Sequence, residues 1–377
     1  FTDADHRFMG RALELAREGL YNTRPNPRVG CVVVADGEIV AEGWTAPAGG
    51  LHAEARALRR AGERARGATL YCTLEPCAHF GRTPPCADAI VGAGAARVVV
   101  ATGDPFERVA GEGFARLRAA GIEVDTGLRE REARALNVGF HARLERGRPW
   151  LRLKLAASLD GRTAMASGES RWITGPDARR DVHRLRARSC AVITGVGTVL
   201  ADDPQLTARR EELEGLSDFD LDFLERKPAL RVVLDAALRT PPDARVLADG
   251  GALLVCAEDT PAAARARYGE SARVETLPTA AGRVDLEALL ERLAALECNE
   301  VLLECGPTLA GEALARGLVD EFWYYQAPVL MGDRARPLAT LALDTMAERL
   351  RFRLDDVSRL GEDLRMILVP AAPTEAP

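Results

Sequence analysis

A histidine, a glutamate and two cysteines are spaced in this sequence like the parts of a zinc site with a proton-carrying carboxylate. One residue separates His52 from Glu54, and Cys77 and Cys86 follow, each directly after a proline. A catalytic zinc ion takes three protein ligands and keeps one position for water, and one histidine with two cysteines meets that count. Glu54 is then free to carry the proton of a water whose pKa the metal lowers. The pattern predicts hydrolytic deamination, since H-x-E followed by P-C is the signature of the zinc deaminases of nucleobases.

The spacing between the two cysteines departs from the short form of that signature. Eight residues, 78–85, separate Cys77 from Cys86, where the short form has two. We expect both cysteines to open helices, where the positive end of the helix dipole favours the thiolate. Packing roles for the cysteines, or a structural zinc completed by Cys72 or His79, are the alternatives.

Around these residues the sequence resembles the bifunctional deaminase/reductase of riboflavin biosynthesis. The resemblance rests on segments 26–30, 52–54 and 74–86. It implies that His52, Cys77 and Cys86 hold zinc, that Glu54 is the proton shuttle, and that the base or its ribose phosphate is contacted by Asn26, His79 and Arg82. A simple turn at Asn26 and a solvated Arg82 are the alternatives. Many relatives have histidine where this chain has Thr45, which puts one substrate contact in doubt.

The second half lacks the usual dinucleotide fingerprint. Gly195 and Gly197 match the first two glycines of G-x-G-x-x-G, but Leu200 occupies the sixth position, so a classical Rossmann domain is not expected. The apolar segment 301–303 runs into 304–311, and a strand that opens a helix through small residues offers free N–H groups to a pyrophosphate. An ordinary turn is the alternative there.

Three further strings, 154–162, 168–174 and 197–209, resemble the reductase half of the same family. The resemblance implies a dihydrofolate-reductase-like fold that uses NADPH. The implied cofactor contacts are Ala156, Trp172, Thr198, Asp202, Gly306, Pro307, Thr308, Leu309, Ala310 and Gly311. The implied substrate contacts are Lys154, Ser170, Arg186, Leu206, Arg209 and Glu304. The two arginines suit a ribose phosphate, because a guanidinium group matches phosphate oxygens. Asp202 is the candidate acid, and Ala236 replaces a serine that is common in relatives.

Hydrophobic periodicity predicts α/β structure in both halves. In the first half we expect helices over 3–19, 52–66 and 113–120, a short helix that begins near Cys86, and a helical pattern that continues to about Leu144. We also expect a hairpin that turns at Asp36-Gly37, and strands over 69–73, 97–101 and 122–125. In the second half we expect strands near 150–157, 190–194, 230–235, 252–257, 300–304 and 321–327, helices near 177–188, 284–296 and 307–316, and a solvated acidic insertion over 211–227. The basic, turn-prone stretch 146–149 separates two domains. With the resemblance, these are a cytidine-deaminase-like mixed-sheet domain over 1–146 that binds zinc, and a dihydrofolate-reductase-like domain over 150–370 that binds NADPH.

Composition limits the classes of function. A chain of 377 residues with 47% hydrophobic and 28% charged residues is long enough for two packed cores. Its net charge of −6 argues against a nucleic-acid partner, and no apolar run of 18 residues predicts a membrane span. The polar N-terminal segment lacks the apolar centre of a secretion signal. With modest cysteine content, these features favour a cytoplasmic protein, and the family tendency to associate implies a homo-oligomer.

The resemblance implies two consecutive reactions on one phosphorylated pyrimidine. The first removes ammonia from a diaminopyrimidinone ribosylamine 5′-phosphate, and the second uses NADPH to reduce the ribosyl group to a ribityl chain. The sequence leaves two alternative functions open. One is deamination of cytosine or of a tRNA adenosine, with an auxiliary second domain, and the other is a non-catalytic module with a structural zinc.

Overall fold

The computed structural model describes residues 1–80, 84–106 and 110–371. The chain divides into two compact units, the first Phe1–Gly147 and the second beginning at Arg148. Each unit is described by itself. Within the described residues, no helix is both long and apolar enough to cross a membrane.

The first unit is a five-stranded mixed sheet with helices on both faces. Its strands are β1 (Gly30–Ala35), β2 (Glu38–Trp44), β3 (Thr69–Cys72), β4 (Arg97–Val100) and β5 (Glu123–Thr126). They lie in the order β2-β1-β3-β4-β5; β1 is antiparallel to β2 and β3, and β3, β4 and β5 are parallel. Its helices are α1 (Asp3–Arg17), α2 (Ala53–Ala61), α3 (Cys86–Ala93), α4 (Glu112–Ala119), α5 (Glu130–Leu136) and α6 (Val138–Arg146).

Strand β1 shows why this sheet is covered on both sides. Its residues are apolar without alternation, as in strands buried on both faces. Cys31 and Val33 belong to a core cluster with residues of α2 and α3, whereas Val32 and Val34 belong to a cluster with residues of α1. The start of α2, where His52 and Glu54 lie, is thereby fixed against the centre of the sheet.

The second unit contains a nine-stranded sheet and two small strand pairs. The strands are β6 (Trp150–Ala157), β7 (Arg162–Ala164), β8 (Ala191–Gly195), β9 (Leu230–Leu234), β10 (Ala252–Ala257), β11 (Arg273–Leu277), β12 (Thr279–Ala280), β13 (Arg283–Val284), β14 (Glu300–Glu304), β15 (Glu321–Gln326), β16 (Arg336–Pro337), β17 (Phe352–Leu360) and β18 (Asp363–Pro370). The large sheet has the order β11-β10-β9-β8-β14-β6-β15-β18-β17. It is parallel from β11 to β15 and ends in the antiparallel hairpin β17–β18.

The described part of the second unit has six α-helices, two of which begin close to the ends of parallel strands of the large sheet. They are α7 (Pro176–Arg188), α8 (Val196–Asp202), α9 (Asp218–Arg226), α10 (Ala262–Ala266), α11 (Leu286–Ala295) and α12 (Pro307–Ala315). Helix α8 follows β8 directly, and α12 follows β14 after a two-residue turn. Ligands of such sheets bind beyond the carboxyl ends of the strands, so these junctions mark the place for a site.

Several sequence-based expectations differ from the structure. The helix expected over 52–66 ends at Ala61 and continues as a 3₁₀ turn, Gly62–Ala65. The acidic segment 211–227 is not simply a solvated insertion, because it contains α9, whose Phe223 and Leu224 are buried. The sequence patterns did not predict β11, the four strands of the two small pairs, α8, α10 or the hairpin β17–β18.

Gly30 allows α1 to approach the sheet. A Cβ atom added at Gly30 would lie 1.9 Å from the carbonyl oxygen of Ala12 in α1, so backbone must move to admit it. We expect Gly30→Ala to lower the free energy of unfolding of the first unit by about 1–3 kcal/mol, measured by urea titration with circular dichroism. Gly92→Ala in α3 is the control, because no atom lies within 4 Å of its added Cβ. Equal stabilities of the two variants would contradict the packing argument.

Candidate zinc and reductase sites

One imidazole nitrogen and two sulfur atoms converge in the first unit. The ligand atoms of His52, Cys77 and Cys86 all lie within 4.8 Å of one another. The Nδ1 atom of His52 is 3.6 Å from the Sγ of Cys77 and 3.3 Å from the Sγ of Cys86. Zinc bonds of about 2.0–2.3 Å in tetrahedral geometry place donor atoms roughly 3.5–3.8 Å apart. The three side chains therefore fit a zinc ion.

Two helix starts and one loop bring these ligands together. His52 is the residue before α2, and Cys86 is the first residue of α3. Cys77 lies in the loop after β3, so the expectation that it opens a helix was wrong. The backbone N–H of Cys86 donates a hydrogen bond to the Sγ of Cys77 at 3.3 Å, and the N–H of Ala87 donates to the Cys77 carbonyl at 3.1 Å. These bonds tie the loop to the start of α3.

The electrostatics of this cluster favour a thiolate at Cys77. Hydrogen bonding with Cys86 and His52 lowers the pKa of the Cys77 thiol to about 4. The hydrogen bond with Cys77 and burial raise the pKa of the Cys86 thiol, and the hydrogen bond with Cys77 raises the pKa of His52. Glu54 stands in the first turn of α2, where burial raises the pKa of its carboxyl group.

The described residues supply three ligands to this cluster, and neither proposed fourth ligand joins it. The Sγ of Cys72 lies 3.6 Å from that of Cys31 on the neighbouring strand, and both residues are buried. His79 packs edge-on against Phe106 with ring centroids 5.7 Å apart. A three-ligand site keeps one coordination position for water, which is the arrangement of catalytic rather than structural zinc.

The other predicted contacts of the first unit differ in their surroundings. The Nδ1 atom of His79 is buried and has no hydrogen-bond partner among the described residues. Asn26 is half-buried, and its backbone N–H donates a hydrogen bond to the Thr23 carbonyl at 3.0 Å. The backbone at Asn26 therefore forms a turn, as the alternative to a substrate contact proposed. Arg82 lies outside the described residues. The hydroxyl of Thr45 is buried and accepts the Val29 N–H at 3.1 Å.

Two carboxylates beside the zinc ligands were missed by the sequence reasoning. Glu75 is buried and accepts backbone N–H groups from Asp104, Gly111 and Gly113 at 3.0–3.2 Å. Burial, together with the negative charges of Glu75, Cys77 and Glu54, raises the pKa of Asp104 to about 6. The signal was available, because Asp104 follows the carboxyl end of β4, where site residues of such sheets gather.

The second unit holds a cavity of about 1280 Å³. It lies at the carboxyl ends of β6, β8, β9 and β14, as expected for a parallel sheet. All but two of the residues predicted to contact cofactor or substrate in this half line it: Lys154, Ala156, Ser170, Trp172, Arg186, Thr198, Asp202, Leu206, Arg209, Glu304, Gly306, Pro307, Thr308 and Leu309.

Ala310 and Gly311 are the two exceptions. Ala310 is fully buried in the core cluster beneath the sheet, and a Cβ at Gly311 would lie 2.0 Å from the Thr340 carbonyl oxygen. Both face the protein interior in the second turn of α12 rather than the cavity. Their predicted cofactor contacts are therefore not supported by their positions, and their small size serves packing.

The junction of β14 and α12 has the features of a phosphate cradle. Gly306 precedes α12 and Pro307 is its first residue, so the helix begins at the cavity with unpaired N–H groups. A Cβ at Gly306 would lie 4.0 Å from the hydroxyl of Thr198 at the start of α8. Two helix starts thus meet at one side of the cavity, and this arrangement fits the pyrophosphate of a dinucleotide.

Arg186 and Arg209 both line the cavity, but their guanidinium groups have different partners. Arg186 donates two hydrogen bonds to Glu304, at 2.6 and 2.9 Å. This pairing engages the guanidinium group and does not support the predicted contact between Arg186 and the substrate phosphate. Arg209 is exposed, and its guanidinium has no partner among the described residues. Ser170 donates to Asp202 at 3.0 Å. Burial lowers the pKa of Lys154, which also lines the cavity.

Two family models match this chain. Residues 2–102 match the cytidine and deoxycytidylate deaminase zinc-binding region, and residues 149–366 match the RibD C-terminal domain. The riboflavin biosynthesis protein RibD of Escherichia coli K12 is 48% identical over 370 residues, covering 97% of this chain and all of the relative. That of Haemophilus influenzae is 44% identical and covers 98% of both chains. The chain belongs to the RibD family.

Solved structures agree with this membership over the full length. RibD of Acinetobacter baumannii superimposes with a TM-score of 0.89 at 45% identity, covering 98% of this chain and 99% of that one. A Thermotoga maritima protein named as a diaminohydroxyphosphoribosylaminopyrimidine deaminase and 5-amino-6-(5-phosphoribosylamino)uracil reductase gives 0.83 at 33% identity, with the same coverage. The chain therefore combines a zinc-binding deaminase domain with a reductase domain of the NADPH-using type.

Removing a ligand should remove the metal. We expect Cys77→Ser and His52→Ala each to lower bound zinc from about one ion per chain to less than about a tenth, because the described residues supply three donors to the ion and each variant removes one of them. Zinc is measured by inductively coupled plasma mass spectrometry after desalting. Cys72→Ser is the matched control, since that thiol pairs with Cys31 and should leave zinc in place. Retention of zinc by Cys77→Ser, or its loss from Cys72→Ser, would show that the ligand set is different.

Proposed function

We propose that the chain catalyses two consecutive steps of riboflavin biosynthesis on one phosphorylated pyrimidine. The first is hydrolytic deamination of 2,5-diamino-6-ribosylamino-4(3H)-pyrimidinone 5′-phosphate, assigned to residues 1–146. The second is NADPH-dependent reduction of the ribosyl group to a ribityl chain, assigned to residues 150–370. The proposal rests chiefly on the convergence of His52, Cys77 and Cys86 beside Glu54. The cavity of the second unit supports the second step.

In the deaminase domain we assign zinc to His52, Cys77 and Cys86. When bound, zinc supplies a water of lowered pKa and polarises the reacting carbon–nitrogen centre. Glu54 is not one of the clustered ligands and lies in the first turn of α2, two residues after His52. Its carboxylate moves the proton from water to the departing amino group, so that ammonia leaves and a carbonyl remains. His79, with its unpartnered nitrogen, is assigned to the substrate, together with Asn26 and Arg82.

In the reductase domain the two helix starts receive the cofactor. The contacts assigned to NADPH are Ala156, Trp172, Thr198, Asp202 and the run Gly306, Pro307, Thr308 and Leu309. NADPH supplies the hydride when bound, and the residues of the cavity orient the sugar carbon toward it. Substrate contacts are assigned to Lys154, Ser170, Leu206, Arg209 and Glu304.

Within that set the arginines have different tasks. Arg209 is exposed and its guanidinium group has no partner in the described part of the chain; it binds the phosphate of the substrate, because such a group can use its forked donors on phosphate oxygens. Arg186 instead holds Glu304 in place through two hydrogen bonds. Asp202 is the candidate proton donor, and its hydrogen bond from Ser170 fixes its orientation.

The proposal includes a homo-oligomer formed through the C-terminal hairpin. Strand β17 is the last strand of the large sheet, so its outer backbone groups have no neighbouring strand among the residues that the structure describes. Leu354 and Val357 on this strand are 52% and 49% exposed. An edge strand with exposed apolar side chains is a surface that pairs readily with a second copy. We also propose a cytoplasmic location, which the eight free cysteines support.

The two reactions should respond to separate substitutions. We expect Glu54→Gln to lower the deamination rate at least about 100-fold and leave the reduction of pre-deaminated substrate unchanged, since only the proton carrier is lost. Arg209→Ala should do the reverse, raising the KM of the reductase about 10–100-fold without affecting deamination, because a charge-assisted phosphate contact is lost. Ammonia release and NADPH oxidation are assayed separately. Each variant is the control for the other, and joint loss of both activities in either would contradict the division.

Assembly is tested by light scattering. We expect the native chain to elute at twice its mass of 40.6 kDa at micromolar concentration, and Leu354→Glu to elute as a monomer because burying the new carboxylate is costly. Phe219→Glu is the matched control, since Phe219 on α9 is also 52% exposed. A monomeric native chain, or equal dissociation by both variants, would rule out this interface.

A further inference from the structure

Two side chains of α7 hold the segment that carries Arg209. Arg186 donates a hydrogen bond from its Nη1 to the carbonyl oxygen of Thr207 at 3.2 Å. The backbone N–H of Arg209 donates to the Nδ1 of His183 at 3.2 Å. His183 and Arg186 are three residues apart and so lie on one face of the helix. Segment 206–209 is therefore fixed to α7 at two points.

The conformation of this segment requires such support. Leu206 has a φ of +58°, in the left-handed region that a side chain with Cβ adopts at a cost of roughly 1–2 kcal/mol. It is nevertheless almost fully buried, so the surrounding contacts hold it there. Arg209 follows in an extended conformation, with φ −94° and ψ 134°. The direction of the Arg209 side chain thus depends on contacts made by its backbone.

His183 can accept the Arg209 N–H only as a neutral imidazole with its proton on Nε2. His183 is buried, and burial together with the positive charges of Arg186 and Arg209 lowers its pKa to about 4, against the opposing charges of Glu304 and Glu211. At neutral pH the ring is therefore an acceptor at Nδ1. Its Nε2 has no hydrogen-bond partner among the described residues, and the ring lines the cavity.

We propose that His183 is a positioning residue of the reductase: it holds the Arg209 backbone so that the Arg209 guanidinium group reaches the phosphate of the substrate. The inference rests on the proposed phosphate contact of Arg209. It accounts for a buried histidine in a cavity where the proposed chemistry gives it no other part.

Two variants separate the hydrogen bond from the volume of the ring. His183→Leu removes the acceptor and keeps an apolar side chain, whereas the side-chain oxygen of His183→Asn can take the position of Nδ1. We expect His183→Leu to raise the KM for 5-amino-6-(5-phosphoribosylamino)uracil about tenfold, with kcat and the KM for NADPH within about twofold. His183→Asn should restore the native KM to within about threefold. Unchanged deamination and melting temperature establish that the variants are folded.

The dephosphorylated substrate tests whether the effect passes through the phosphate. With that compound, His183→Leu and the native enzyme should have the same KM, because Arg209 has no phosphate to bind. A purely structural defect would instead weaken both substrates alike. Equal impairment by the leucine and asparagine variants, or an equal effect on the dephosphorylated compound, would overturn the proposal.

Hydrogen exchange at the Arg209 amide gives a readout that does not depend on turnover. In the native chain and in His183→Asn this amide should exchange at least about tenfold more slowly than in His183→Leu, since only the leucine variant lacks its acceptor. Equal exchange in all three chains would overturn the proposal.

The double variant His183→Leu/Arg209→Ala separates this inference from the proposed function. If His183 acts through Arg209, the double variant should have the KM of Arg209→Ala alone. Additive effects would show that His183 acts independently of Arg209. An unchanged KM in Arg209→Ala would refute the assignment of Arg209 to the substrate phosphate. A raised KM in Arg209→Ala together with a normal KM in His183→Leu would refute only the role of His183.

Discussion

The deaminase site depends on the meeting of two helix starts above one buried sheet. Residues of α2 and α3 share a core cluster with β1, and this packing brings the nitrogen before one helix to 3.3 Å from the sulfur that begins the other. Neither His52 nor Cys86 can move toward a metal by rotating a flexible loop, because both are fixed by the helices they begin. Hydrophobic packing therefore determines the geometry of a polar site.

Much of this fold could be predicted from the sequence, since the strands that form the centre of each sheet are short apolar runs. β6, β10 and β14 have the bounds that periodicity predicted. The metal ligands were also predictable, because three donor types and one spare carboxylate at set spacings carry specific chemistry. The comparisons confirm the family that those motifs indicated.

The remainder depends on tertiary contacts that no local pattern contains. Cys77 follows a proline but is tied to α3 rather than opening a helix of its own. The pairing of Arg186 with Glu304 joins residues far apart in sequence, so spacing gave no reason to prefer it over phosphate binding. Segment 211–227 is acidic enough to suggest full solvation, yet Phe223 and Leu224 are buried. The contacts of Cys77 and Arg186 are polar and those of Phe223 and Leu224 are packing contacts, and all of them form only in the folded chain.

Glu75 connects the loop that carries the metal ligand Cys77 to the backbone at Asp104, Gly111 and Gly113. Its carboxylate binds the amides of Asp104, Gly111 and Gly113, and it stands two residues before a metal ligand. A displacement of the Asp104, Gly111 or Gly113 amide must therefore also strain the loop that carries Cys77. By thermodynamic reciprocity, a ligand whose binding shifts those amides and a metal ion held by Cys77 would alter each other's affinity by the same factor.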